Sequence, residues 1–153
     1  YKRQVLTLAR ELSLKDGIVC QNPVRELSSW WNEEVSFEGQ YTGNTDICYE
    51  LNLKNTEKKW EVLIAGGLKL SWSPEEYVFR MEFLNEKLGC GRSLRAREMQ
   101  ECTDIRVVVD SSCVEVFMNG GKDVFSTRFY PEKDQYTVKA SRAFLTASYR
   151  YRV

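Results

Sequence analysis

The stretch that most constrains the fold is Ile105 to Pro131, IRVVVDSSCVEVFMNGGKDVFSTRFYP. Ile105–Val109 is an apolar run of mostly β-branched residues, which suit a pleated, half-buried surface. Asp110-Ser111-Ser112 then turns the chain, because short polar side chains hydrogen-bond to their own backbone. Val114, Val116 and Met118 alternate with Glu115, Phe117 and Asn119, a period of two. Asn119-Gly120-Gly121 accepts the positive φ of a tight hairpin turn. Val124–Tyr130 is the return strand, closed by Pro131. Two turn signals between three strand-like runs predict an antiparallel meander.

The rest of the chain repeats this rhythm. In Val5–Leu14, apolar Leu6, Leu8, Leu12 and Leu14 hold even positions. Lys15-Asp16-Gly17 turns, and Ile18–Val24 returns, which predicts a hairpin. Gly39–Asp46 is rich in turn residues. In Ile47–Lys54, Ile47, Tyr49, Leu51 and Leu53 face one way and Cys48, Glu50, Asn52 and Lys54 the other. Asn55–Lys59 turns the chain. Trp60–Ala65 and Leu68–Trp72 bracket Gly66-Gly67, a further hairpin. Ser73–Leu88 has two readings. Ser73-Pro74-Glu75-Glu76 is a helix capping box with Pro at the first helical position. Against it, Tyr77, Phe79, Met81 and Phe83 alternate as a strand, and the aromatic content and all-β neighbours favour that reading. Asn85-Glu86-Lys87 is then the turn and Leu88–Leu94 the return. Gln135–Ala140 and Ala143–Val153 end the chain as strands, with Ala147, Tyr149, Tyr151 and Val153 alternating. About ten short strands with no long helix predict an all-β fold, a two-sheet antiparallel β-sandwich of the jelly-roll or lectin-like kind.

A chain of 153 residues suits one sizeable core. Lys plus Arg and Asp plus Glu both number 22, so charge gives no support for nucleic acid or an anionic membrane as partner. No apolar run approaches the ~18 residues of a membrane helix. Tyr1 is not an initiator Met, so the chain is expected to be a fragment whose start carries no targeting information. The five cysteines (Cys20, Cys48, Cys90, Cys102 and Cys113) are odd in number and lack C-x-x-C spacing. They read as reduced, mostly buried thiols of a cytoplasmic protein. With no His in the chain, the usual metal-ligand patterns and the commonest general base are missing, so neither metal nor cofactor is expected.

Few residues suggest chemistry. Trp30 and Trp31 lie in the polar stretch ELSSWWNEE and could stack on a sugar, although one of two adjacent aromatics more often closes a core. Arg92, Arg95 and Arg97 could hold a phosphate or carboxylate, yet Glu98 and Glu101 nearby favour a self-neutralised surface loop. Glu33-Glu34 and Glu75-Glu76 are sequence neighbours, and adjacent strand residues point to opposite faces, so neither pair forms a two-carboxylate site. Asp110 reads as a turn cap.

Two segments carry a resemblance. VVVDSSCVEVFMNGGKDVFSTRFYP resembles the signature of the C-terminal sandwich of glycoside hydrolase family 32, the invertase and sucrose-6-phosphate hydrolase family. LTLARELSLKDGIVCQNPVREL, Leu6 to Leu27, resembles that family's segment between catalytic propeller and sandwich, with Ala9 where the family usually has Pro. Between them, Ser28 to Gln100 matches only in strand rhythm. The resemblance implies a parent enzyme that cleaves β-fructosyl bonds with retention, using two carboxylates of a five-bladed propeller. The family's W-x-N-D-P-N-G and R-D-P motifs are absent. Its E-C dipeptide occurs as Glu101-Cys102, but after the linker segment rather than before it, so no catalytic residue is expected here. The resemblance further implies that residues 1–27 form a linker hairpin and residues 28–153 the sandwich. Arg10, Glu11, Leu12, Arg25 and Glu26 would then lie at the seam with the propeller, the expected partner, with support through a homo-oligomer as an additional route. The alternative is a fructan- or sucrose-binding module using Trp30, Trp31, Trp72 and Arg92. A free lectin-like domain is disfavoured by the linker segment.

Overall fold

A computed structural model describes residues 6–31, 33–37, 40–42, 48–54, 56, 58–130, 137–140 and 146–151. Its strands are β1 (Arg10–Lys15), β2 (Ile18–Pro23), β3 (Glu33–Phe37), β4 (Gln40–Thr42), β5 (Cys48–Lys54), β6 (Trp60–Ile64) and β7 (Leu68–Ser73). They continue with β8 (Val78–Phe83), β9 (Leu94–Glu98), β10 (Ile105–Asp110), β11 (Cys113–Met118), β12 (Asp123–Arg128), β13 (Thr137–Ala140) and β14 (Thr146–Tyr151). One six-stranded sheet has the order β12-β11-β10-β5-β14-β3, the other β4-β13-β6-β7-β8-β9, and β1-β2 form a separate hairpin. All the pairings are antiparallel, as the sandwich expectation requires.

The predicted meander is β10-β11-β12. Its inward positions Val107, Val109, Val114 and Val116 meet Leu51 and Leu53 of β5, and Trp60, Leu70, Trp72, Phe79 and Met81 of the facing sheet, in one buried core. Trp60 and Trp72 sit opposite each other in the β6–β7 register. Phe79 ties the sheets together, with its ring 6.3 Å from Trp60 and 5.1 Å from Phe125 of the other sheet. Tilted pairs at such spacings suit the ring quadrupoles.

The Asn119-Gly120-Gly121 turn takes the positive φ expected of it, 54°, 64° and 91° at the three residues. Several other expectations are corrected. The first strand starts at Arg10 rather than Val5, and residues 6–9 run on without strand pairing. Ser73-Pro74-Glu75-Glu76 makes a turn and no helix, and Ser73 Oγ donates to Glu75 instead of capping. The return strand after β8 is Leu94–Glu98, because residues 84–93 form a long turn before it. β4 lies inside the stretch read as turn, and Arg25–Trp30 is a 3₁₀ helix that the sequence did not announce. Of the cysteines, Cys20 and Cys102 are buried, Cys48 and Cys113 half-buried and Cys90 exposed, and all are free thiols. Val5, Ile47, Pro131 and Val153 lie outside the described residues, as do the side chains of β14 whose alternation was expected.

Candidate functional site

Residues 6–31 lie on the outer face of the β12–β3 sheet as a third layer. Strand alternation sends Glu50 and Asn52 of β5, Arg106 and Val108 of β10, and Glu115 and Phe117 of β11 to that face. The register places Glu50 opposite Val108, and Val108 opposite Glu115. Trp31, Val108 and Phe117 form a second apolar cluster, against which Leu8 and Leu27 pack.

Two carboxylates are buried beneath this layer. The Glu115 side chain is 2% exposed and pairs with the Arg10 guanidinium. It also accepts from the Leu8 amide at 2.6 Å. Arg10 donates further to Gln21 Oε1 at 2.9 Å and Ser126 Oγ at 2.8 Å, and lies over the Phe117 ring at 5.4 Å. Glu50, also 2% exposed, accepts from Arg106 Nε and Nη2 at 2.8 and 2.6 Å and from the Trp31 indole at 3.2 Å. Buried carboxylates need such partners, because their desolvation otherwise costs several kcal/mol each. Nothing local in the sequence marks these anchors: mid-strand Glu on an outward position reads as solvated, and its cover comes from a segment distant in sequence, 105 and 107 residues away for Glu115 and 19 for the Trp31 contact of Glu50.

The hairpin is fixed through its second strand too. Asn22 Nδ2 donates to the Gly120 carbonyl at 2.9 Å. A Cβ on Gly121 would lie 2.3 Å from the Gln21 carbonyl oxygen, so glycine permits this approach. Glu11 and Arg25 pair at 2.8 Å across the base of the hairpin, in the open. The hydrogen bond from Arg25 holds the Glu11 carboxyl below its usual range, and Glu11 raises Arg25. Leu12, Leu14 and Val19 share one hairpin face and are 70%, 72% and 57% exposed.

The seam candidates therefore divide. Arg10 turns inward onto the sandwich rather than outward, Leu12 is exposed, and Arg25 and Glu26 open the 3₁₀ helix, none of whose residues is buried. The sugar-stacking candidates do not converge. Trp72 is 2% exposed inside the core and presents no ring face, and Trp31 is buried on the far side of the other sheet. Trp30 is exposed, and Arg92 donates to Thr127 Oγ1 at 3.2 Å. The basic cluster is not a self-neutralised loop: Arg95 donates to the Ser126 carbonyl at 2.7 Å and Arg97 pairs with Asp123 at 2.9 Å. Glu101 stands 3.7 Å from Lys122 at the surface. A small cavity of about 90 Å³, room for a few waters, lies between Leu6–Leu8 and Val108, Asp110, Cys113 and Glu115. Burial, reinforced by Glu115, pushes the Cys113 thiol up from its usual range, which leaves it a poor nucleophile. Among the described residues no cluster of three or more His, Cys, Asp or Glu could hold a metal ion, and no helix is long and apolar enough to cross a membrane.

The arrangement defines a class: a two-sheet β-sandwich domain whose N-terminal segment is clamped to one outer face and whose buried carboxylates are held by arginines. The family model described as "Glycosyl hydrolases family 32 C terminal" matches residues 67–148. The chain belongs to that family, as its C-terminal sandwich domain. It is 32% identical over 133 residues to a sucrose-6-phosphate hydrolase of Vibrio alginolyticus, covering 82% of this chain and 27% of the relative. A sucrose-6-phosphate hydrolase of Escherichia coli is 29% identical over 143 residues, 85% of this chain and 30% of that protein. The chain thus spans under a third of the length of these relatives. The solved sucrose-6-phosphate hydrolase of Lactobacillus gasseri superimposes with a TM-score of 0.81 at 17% identity, over 94% of this chain and 33% of that one. A family 32 β-fructofuranosidase of Bombyx mori gives 0.71 at 26% identity, over 96% and 32%.

Proposed function

We propose that this chain is the non-catalytic C-terminal module of a β-fructosidase that hydrolyses sucrose or sucrose 6-phosphate, and that it packs on and supports the catalytic propeller of the same polypeptide. The observation that carries the reading is the N-terminal hairpin, pinned to the sandwich near its base by Arg10 and Asn22 while Leu12, Leu14 and Val19, further toward its tip, stay exposed. An exposed apolar patch of this kind suits an intramolecular seam. The names of the relatives, sucrose-6-phosphate hydrolases, supply the substrate class. The five free cysteines suit a reducing compartment, and we assign the parent to the cytoplasm on that ground.

Calorimetric titration of this chain with sucrose, sucrose 6-phosphate and fructo-oligosaccharides tests the reading, together with an assay for released glucose. The expected result is no turnover and dissociation constants above roughly 1 mM, worth less than about 4 kcal/mol. Micromolar binding abolished by Trp30→Ala or Arg92→Ala would make the chain a sugar-binding module instead. Turnover that survives repurification and is lost in Glu101→Gln would make it an enzyme.

A further inference from the structure

We infer that Arg10 and Glu115 form a clamp that makes residues 6–31 a fixed third layer of the sandwich rather than a flexible tether, so that the seam-bearing hairpin is held in one orientation. What that hairpin meets rests on the reading proposed above; the clamp itself does not.

The apolar contacts of Leu8, Leu27 and Trp31 hold the layer down, but apolar contact is not directional. A sliding or rotated hairpin would keep much of that burial. The arginine fork does not allow it. Nη1 holds Gln21 of the hairpin's second strand, and Nη2 holds Ser126 of β12 and Glu115 of β11. One planar group is thus bonded to two layers at once, in a geometry set by its fixed fork. Glu115 completes the register by accepting from the Leu8 amide, which fixes the chain just ahead of β1. A buried ion pair contributes little net stability against an apolar substitute, and its best-attested role is to specify register. In this geometry the charge pair specifies where the layer sits, and the apolar cluster supplies the adhesion.

Hydrogen exchange of this chain, read peptide by peptide, tests the clamp in Arg10→Lys, Glu115→Gln and the double variant. Lysine keeps the charge but has no fork, and glutamine keeps an acceptor for the Leu8 amide but removes the charge. The expected result is that amides of β1 and β2 exchange about tenfold faster in each single variant while β6, β7 and β8 keep their protection. The double variant should accelerate exchange by less than the product of the two single effects, because Arg10 and Glu115 share one contact. Unchanged exchange of β1 and β2 would overturn the clamp. Equal acceleration of the hairpin and the core would also overturn it, since the pair would then act on global stability alone. Sugar binding and turnover do not enter these readouts, so failure of the proposed function leaves this test standing.

Discussion

Gly121 and Gly91 both sit at positive φ, 91° and 84°, yet their surroundings differ. A Cβ on Gly91 would meet nothing within 4 Å, whereas one on Gly121 would press on the Gln21 backbone at 2.3 Å and Asn22 Nδ2 at 2.7 Å. Gly91→Ala therefore faces only the left-handed backbone penalty, about 1–2 kcal/mol. Gly121→Ala faces that penalty and must also push the hairpin off the turn, for a total of about 3 kcal/mol or more. Urea unfolding of the two variants measures the difference. Equal losses would mean that the close approach of β2 to the 119–121 turn is not kept in solution. The same contrast governs the aromatics. Trp72 and Trp31 are both apolar and both buried, but strand alternation sends Trp72 between the sheets, while Trp31 docks its indole N–H on Glu50 outside them.

Among the elements, β9 shows what closes the sandwich and why it was hard to read. It is the edge strand of one sheet, as β12 is of the other, and the arginines span the gap: Arg95 to the Ser126 carbonyl, Arg97 to Asp123 and, from the preceding turn, Arg92 to Thr127. Long side chains bonded to an edge carbonyl also mask it from foreign strands. Arg95→Ala removes a charge-assisted bond at the part-buried edge and should lower stability by about 1.5–3 kcal/mol. Arg97→Ala, at a side chain more than half exposed, should cost about 1 kcal/mol or less. A reversed order in thermal or urea unfolding would contradict the edge as described. In LRARE, Arg holds the positions where alternation calls for apolar residues, so the strand reads as a basic loop, and the expected return strand fell six residues early. By contrast β5, β6, β7 and β10 were legible because both neighbours in the sheet and the facing sheet demand apolar side chains at alternate positions. Glu50 and Glu115 were not legible as anchors. Their strands fix only the face they occupy, and whether that face is wet or covered depends on residues 6–31.

At the scale of the whole molecule, the two sheets share one core and cannot lose it separately. β5 lies between β10 and β14, so the strand nearest the C-terminus is paired through the middle of the sheet with strands far apart in sequence. Phe79 and Phe125 pack across the sheets, and Trp60 and Trp72 fill the space between them. Removing either sheet would expose a continuous apolar face of the other, so unfolding of the sandwich should be a single cooperative transition. The outer layer is different, since it shares no residue with that core and is held by its own cluster. Trp30 and Trp31 both lie in the layer, which makes intrinsic fluorescence ambiguous unless both indoles are removed. In the Trp30→Phe, Trp31→Phe double variant the indoles left are those of Trp60 and Trp72. Their fluorescence and the far-ultraviolet circular dichroism, which should be dominated by strand, are expected to change together in urea with one midpoint. Two separated midpoints in that variant would mean that the sheets melt independently, and would contradict a core built from both.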